Sequence, residues 1–272
     1  MTLILGIRCD KGVVMAADSA ATTGGGFVQD TIRQPVHKLK PIKERVILGV
    51  SGPEGLVQQF EGEIERLVRN PSSTSTWGSK DTVLTVQKKV RDRLWPWIKR
   101  ELVRAKEAGL NPAQLVASAL LATAVANTAH LIEFDPVMPE EHRTKDLPFA
   151  CIGTGRNVAD PFLAFLREIF FEDNVLPNLA LGRFVAFWAL RHAIRTAPAH
   201  VAGPMHVMVL EQIETTDSKQ QWRVRELAPN ELLEHLQRCD GAEDWLRAFK
   251  SELRIDETTP DVPEPSSTRA SG

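Results

Sequence analysis

Three residues near the start of the chain have the types that a self-contained nucleophile requires: Thr2, Asp18 and Lys38. Removal of Met1, which cells perform readily when the next side chain is small, would leave Thr2 as the first residue. An N-terminal threonine carries its own base, because its α-amino group sits within reach of its hydroxyl. That amine has a reference pKa of about 7.7–8.0, so a modest downward shift makes it proton-accepting at neutral pH. A nearby ammonium supplies the shift by disfavouring a second positive charge. An aspartate is then needed to hold the ammonium. Asp18 and Lys38 are of the right types, and they also fit a plain structural ion pair.

The elements that must position these groups are legible as short apolar runs. Residues 3–9 (LILGIRC) and 13–18 (VVMAAD) read as strands around a hairpin turn at Asp10-Lys11-Gly12. That hairpin brings Asp18 back beside Thr2 by register alone. The run Thr22-Thr23-Gly24-Gly25-Gly26 is expected to be a loop, since consecutive glycines lose too much entropy in a regular element. Val36–Leu39 and Val46–Val50 read as a second strand pair. Pro53 and Glu54 then open a helix. A second helix carries Val83, Val86, Val90, Leu94, Trp97, Ile98 and Leu102 on one stripe, with a kink or break expected at Pro96.

Further along, residues 115–126 and 129–134 read as a hairpin, and 149–152 as a strand ahead of the turn Gly153-Thr154-Gly155. Helices are expected at 157–171 and 178–197, strands at Met205–Glu211 and Trp222–Glu226, and two short helices near 229–238 and 242–253. Strands, paired helices, strands, paired helices and strands in that order imply an α+β sandwich, not a doubly wound sheet. One domain over residues 1–253 is expected. The tail 254–272, rich in Pro, Ser and acid, is expected to be disordered.

Composition narrows the function. Of the 272 residues 43% are hydrophobic and 25% charged, ordinary globular usage, and the net charge is −2. There is no basic stripe for nucleic acid and no apolar run of membrane length. The wide spacing of Cys9, Cys151 and Cys239 argues for buried thiols in a reducing compartment, and no leader pattern is seen, so a cytoplasmic location is expected. GxxxxGK[ST], GxGxxG after a strand and GxSxG are all absent. The seven histidines form no HExxH or other ligand pair in sequence, so neither a cofactor nor a metal is expected.

The runs GVVMAADSAAT, VHKLKPI and VILGVSG, followed later by IGTG, together resemble the signature of proteasome β-type subunits. Those are N-terminal nucleophile (Ntn) hydrolases with a four-layer αββα sandwich. The resemblance is dense over residues 2–52 and patchy at 150–155. The family's serine in the later turn is replaced by Thr154, and the Asp and Ser that many subunits carry before their last core strands are missing from 195–203. In that respect the chain looks nearest to the bacterial HslV-like type.

The resemblance implies roles. Thr2 would be the nucleophile, Lys38 would depress its amine and Asp18 would hold Lys38. The Gly52 backbone N–H would stabilise the oxyanion, and Thr154 would support the nucleophile. Thr22 would bind the substrate backbone, and Ala21, Val36, Val50 and Glu54 would build the first specificity pocket. Blander readings exist: Thr22 and Thr154 as turn residues, Glu54 as a helix-start charge. The resemblance implies a threonine endopeptidase in a homo-oligomeric double ring that cuts peptides or unfolded protein, with an ATP-dependent unfoldase as a possible partner. A catalytically silent ring subunit and an Ntn amidase acting on a small molecule are the alternatives.

Overall fold

Alternation along the first two strands sets the layers. In the computed structural model, which describes residues 2–23, 32–68, 76–78, 80–109, 111, 117–135, 140–198, 201–214 and 220–250, β1 (Ile4–Cys9) and β2 (Gly12–Ala17) pair antiparallel. Val13, Met15 and Ala17 face one core, whereas Val14 and Ala16 face another. A strand covered on both faces must be apolar at every position, and all six residues of β2 are buried. These two strands are therefore the middle of the molecule.

They belong to a five-stranded sheet, completed by β10 (Phe149–Ile152) beside β1 and by β11 (His206–Glu214) and β12 (Gln220–Glu226) beyond β2. A second five-stranded sheet runs in sequence order: β5 (Leu39–Ile42), β6 (Val46–Ser51), β7 (Ser118–Val125), β8 (Thr128–Phe134) and β9 (Glu141–His142). A third, two-stranded sheet pairs β3 (Ala20–Thr23) with β4 (Ile32–Pro35). The two large sheets meet through Ile4, Met15, Ile47, Leu120, Leu131 and Leu210. On the outer face of the second sheet lie α1 (Glu54–Leu67) and α2 (Val83–Glu107), burying Phe60, Ile64, Val86 and Val90. The outer face of the first sheet is covered by α3 (Arg156–Phe170), α4 (Leu179–Thr196) and α5 (Pro229–Phe249). The result is helices, sheet, sheet, helices: the expected αββα sandwich.

Close approach of α4 to β1 depends on Gly182, where an added Cβ would run into the Cys9 sulfur. Arg8 ties the sheets together across the sandwich. Its Nε donates to Ala129 O at 3.0 Å and its Nη1 to Arg143 O at 2.7 Å. Among the described residues no helix is long and apolar enough to cross a membrane.

Several details depart from the sequence expectations. Thr22 and Thr23 lie in strand β3, not a loop, because residues 20–23 find a partner in β4; Gly24–Gly26 lie outside the described residues. Val36, His37 and Lys38 form a connector ahead of β5 instead of a strand, with Val36 N bonded to Ser19 O at 2.8 Å. Helix α2 continues through Pro96, which sits on its exposed face where water can satisfy the carbonyl left unbonded. The two short C-terminal helices are one, α5. Its Gly241 costs about 1 kcal/mol of helix propensity, and the Arg191–Asp240 and Arg195–Glu243 pairs bind that stretch to α4. The short strand β9 was not anticipated. The expected disordered tail lies outside the described residues.

His130, on β8, is kept neutral: burial first, then the charges of Arg8 and His142, push its pKa down to about 4. An unfolded histidine takes its proton near pH 6.5. Between those values the unfolded chain binds more protons than the folded one, so stability is lost as pH falls through that window. His130→Gln should flatten the acid limb of a Tm-versus-pH curve between about pH 6.5 and 4, measured by calorimetry.

Candidate active site

The β1–β2 register puts Ile4 opposite Ala17, and the ladder continues one step further toward the chain start. Asp18 N donates to Leu3 O at 3.2 Å, and Leu3 N donates to the Asp18 carboxylate Oδ1 at 2.8 Å. The same Oδ1 accepts from Lys38 Nζ at 2.6 Å. The other oxygen, Oδ2, accepts from Ala20 N at 3.2 Å and Ala202 N at 3.4 Å. Asp18 is fully buried, and the Lys38 side chain is 6% exposed. A buried carboxylate is costly unless its lone pairs are occupied, and here four donors occupy them. Burial pulls the Lys38 ammonium below its ordinary pKa, while the charge and hydrogen bond of Asp18 pull it back up.

Thr2 is held from the other side. Its carbonyl accepts from Gly155 N at 3.1 Å, and its nitrogen donates to Thr154 Oγ1 at 3.3 Å. Gly153 turns with φ +90°, and a Cβ there would overlap the Thr2 carbonyl. The turn 153–155 therefore wraps the second residue closely enough to require glycine. Thr2, Asp18, Lys38 and Thr154 are thus brought together: Asp18 bonds the backbone of the residue after Thr2, and Thr154 bonds Thr2 itself.

The remaining expected residues are distributed around this cluster. Gly52 is exposed at the turn between β6 and α1. Ala21 and Thr22 lie on β3, opposite Gln34 and Arg33 of β4. Val36 is half-buried in the connector two residues before Lys38. Val50, 7% exposed, packs into the core beneath α1 and α2. Glu54 is exposed in the first turn of α1, where its carboxylate accepts from Gln58 Nε2 at 3.2 Å.

Sequence reasoning missed the contribution of residues 201–203. Ala202 clasps the site through its backbone, its N–H on Asp18 and its carbonyl accepting from Ser19 N at 3.1 Å. Main-chain groups leave no residue-type signature, so nothing in the sequence marked this position.

Two sheets packed between helix layers, with a buried Lys–Asp pair at the end of a central strand, make up the proteasome-type fold. Residues 2–94 match the family model for the proteasome subunit. No curated protein matches the chain. Among solved structures, the chain is similar to Anbu, the ancestral beta-subunit, from Yersinia bercovieri, with TM-score 0.63 and 16% identity over 92% of this chain and 97% of that one. Anbu from Hyphomicrobium sp. strain MC1 gives 0.62 and 15%, over 94% and 99%. The helical assembly of the Anbu complex from Pseudomonas aeruginosa gives 0.63 and 18%, over 90% and 96%. The motifs pointed toward HslV; these three likenesses are to Anbu.

Asp18→Asn keeps the shape but leaves a buried ammonium without its counter-charge. A loss of about 3–5 kcal/mol in urea unfolding is expected, and adding Lys38→Met should recover part of it. Gly153→Ala should cost about 1–3 kcal/mol through strain at positive φ, read in the same assay.

Proposed function

We propose that the chain is a threonine-type endopeptidase that works after Met1 is removed. The Thr2 hydroxyl attacks the carbonyl carbon of a peptide bond while the freed α-amine takes the hydroxyl proton. Lys38 keeps that amine unprotonated by its charge, and Asp18 holds Lys38. The tetrahedral oxyanion is stabilised by the Gly52 N–H, a contribution worth a few kcal/mol of barrier in comparable sites. Collapse expels the amine half of the substrate, which receives the proton from the Thr2 amine. An ester to Thr2 Oγ1 remains, and water, deprotonated by the same amine, hydrolyses it. Thr154 orients the amine. Thr22 pairs with the substrate backbone as an added strand, and Ala21, Val36, Val50 and Glu54 belong to the first specificity pocket.

The observation that carries this reading is Asp18 Oδ1, which accepts from Lys38 Nζ at 2.6 Å and from Leu3 N at 2.8 Å. One oxygen thus links the cation to the residue that follows the nucleophile. A catalytically silent subunit has no need of a buried ammonium at that spot, and a small-molecule amidase is the less favoured enzyme because the segment from 53 to 111 supplies only α1 and α2 among its described residues.

The chain acts as one domain over residues 1–253 with an appended tail, in the cytoplasm, and self-associates so that its sites face an enclosed space. Peptides or unfolded protein are the substrates, with an ATP-dependent unfoldase as the partner that would feed them. A closed double ring is the proposed form. An open helix is the second reading, favoured by the helical assembly formed by the Pseudomonas aeruginosa Anbu complex; head-to-tail contacts give a ring when the rotation closes and a helix when it does not.

Intact mass of the purified protein should show loss of Met1. Thr2→Ala should lower kcat/KM on a fluorogenic peptide panel by about a thousandfold or more, and a peptide epoxyketone should add covalently to the wild type alone. Equal turnover by wild type and Thr2→Ala would sink the threonine mechanism. Negative-stain images should distinguish closed rings from helical filaments.

A further inference from the structure

Close to the Asp18–Lys38 pair, three side chains from separate elements converge. His37 lies in the connector just before Lys38, His206 begins β11, and Glu226 ends β12. The two imidazole rings stand 4.1 Å apart, centre to centre, and are tilted by 55°. His206 Nδ1 lies 3.0 Å from Glu226 Oε1. One ligand-capable atom from each residue falls within 4.8 Å of the other two. His206 is largely buried, with its side chain 14% exposed, whereas Glu226 is 45% exposed and His37 is exposed.

We propose that His37, His206 and Glu226 form a divalent transition-metal site, of zinc type, that clamps the Lys38 connector onto β11 and β12. Two imidazole nitrogens and one carboxylate oxygen are a donor set of intermediate softness, suited to Zn2+ and its neighbours and poorly suited to Mg2+ or Ca2+. Zinc–nitrogen and zinc–oxygen bonds of about 2.0–2.2 Å require donors roughly 3.3 Å apart. The His206–Glu226 pair, at 3.0 Å, is close to that spacing. His37 and Glu226 have solvent on one side and can turn the remaining distance. Water would supply the fourth ligand.

The backbone is suited to such a clamp. His206 pairs with Ala17 in the β11–β2 ladder, next to Asp18. The connector is anchored at its start by Val36 N on Ser19 O. A metal at His37 would fix the middle of the connector, so that Lys38 is held between that anchor and Leu39, where β5 begins. The site stands on its own geometry and does not depend on peptide hydrolysis.

The test is binding of Zn2+ by the chelator-stripped, full-length protein, measured by isothermal titration, with Co2+ as a spectroscopic stand-in. One Zn2+ per chain is expected, with a Tm rise of a few degrees at saturating metal. Weakening of tenfold or more is expected in Glu226→Gln and in His37→Gln. Co2+ should give visible d–d bands that His206→Gln abolishes. Circular dichroism checks that each variant is folded, and the exposed Glu226→Gln serves if His206→Gln is not. Absence of Zn2+ binding, binding unchanged in all three variants, or a cobalt–thiolate band implicating Cys9, Cys151 or Cys239 would each overturn the proposal. The first outcome would leave the His206–Glu226 contact as an ordinary hydrogen bond.

Discussion

A single buried carboxylate organises one end of this molecule. Asp18 sits where β2 leaves the sheet, with no exposure to solvent, and gathers donors from four separate places: Leu3, Ala20, Lys38 and Ala202. The Lys38 contact is a charge-assisted bond, and the other three come from backbone N–H groups. Together they satisfy a charge that would otherwise be prohibitive to bury, and each ties a different stretch of chain to the same atom pair. A carboxylate in this position makes the chain start, the connector before β5 and the segment before β11 mutually dependent.

The sandwich makes that arrangement possible. Because β1 and β2 are covered on both faces, their ends are anchored by two cores at once, one between the sheets and one under α4. Little freedom is left at Leu3 and Asp18. Rigid strands are better platforms for chemistry than loops, since a misplacement of about 1 Å can cost a hundredfold in rate. The turn 153–155 adds the opposing wall, reached through β10, the antiparallel neighbour of β1.

Much of this was legible beforehand. Short apolar runs bounded by turns identified β1, β2, β6, β7, β8 and β10, and helical spacing identified α1 to α4. Thr2, Asp18 and Lys38 stood out by type, Asp18 also by the hairpin register, and Thr154 through the resemblance of its turn to the family's. Errors arose where local signals were weak or contradictory. Thr22 and Thr23 adjoin three glycines and read as loop, yet β4 gives them a partner. The last helix read as two short ones, near 229–238 and 242–253, yet ion pairs to α4 carry a single helix through. Pro96 suggested a break in α2, yet its exposed position makes the lost hydrogen bond tolerable. In each case a tertiary contact or solvent access outweighed an intrinsic preference of about 1–3 kcal/mol.

The sequence by itself determined the periodicities, and with them the layers, the hairpin and the presence of a threonine, an aspartate and a lysine in one N-terminal stretch. Periodicity and residue type are local properties, carried by neighbours a few positions apart. Only the tertiary structure decided that Ala202 closes on Asp18, that Gly153 wraps Thr2 and that His37, His206 and Glu226 meet. Those contacts join residues far apart in the chain, some through backbone groups that every residue possesses. They exist because the two large sheets and the helices over them bury their apolar faces in one particular way.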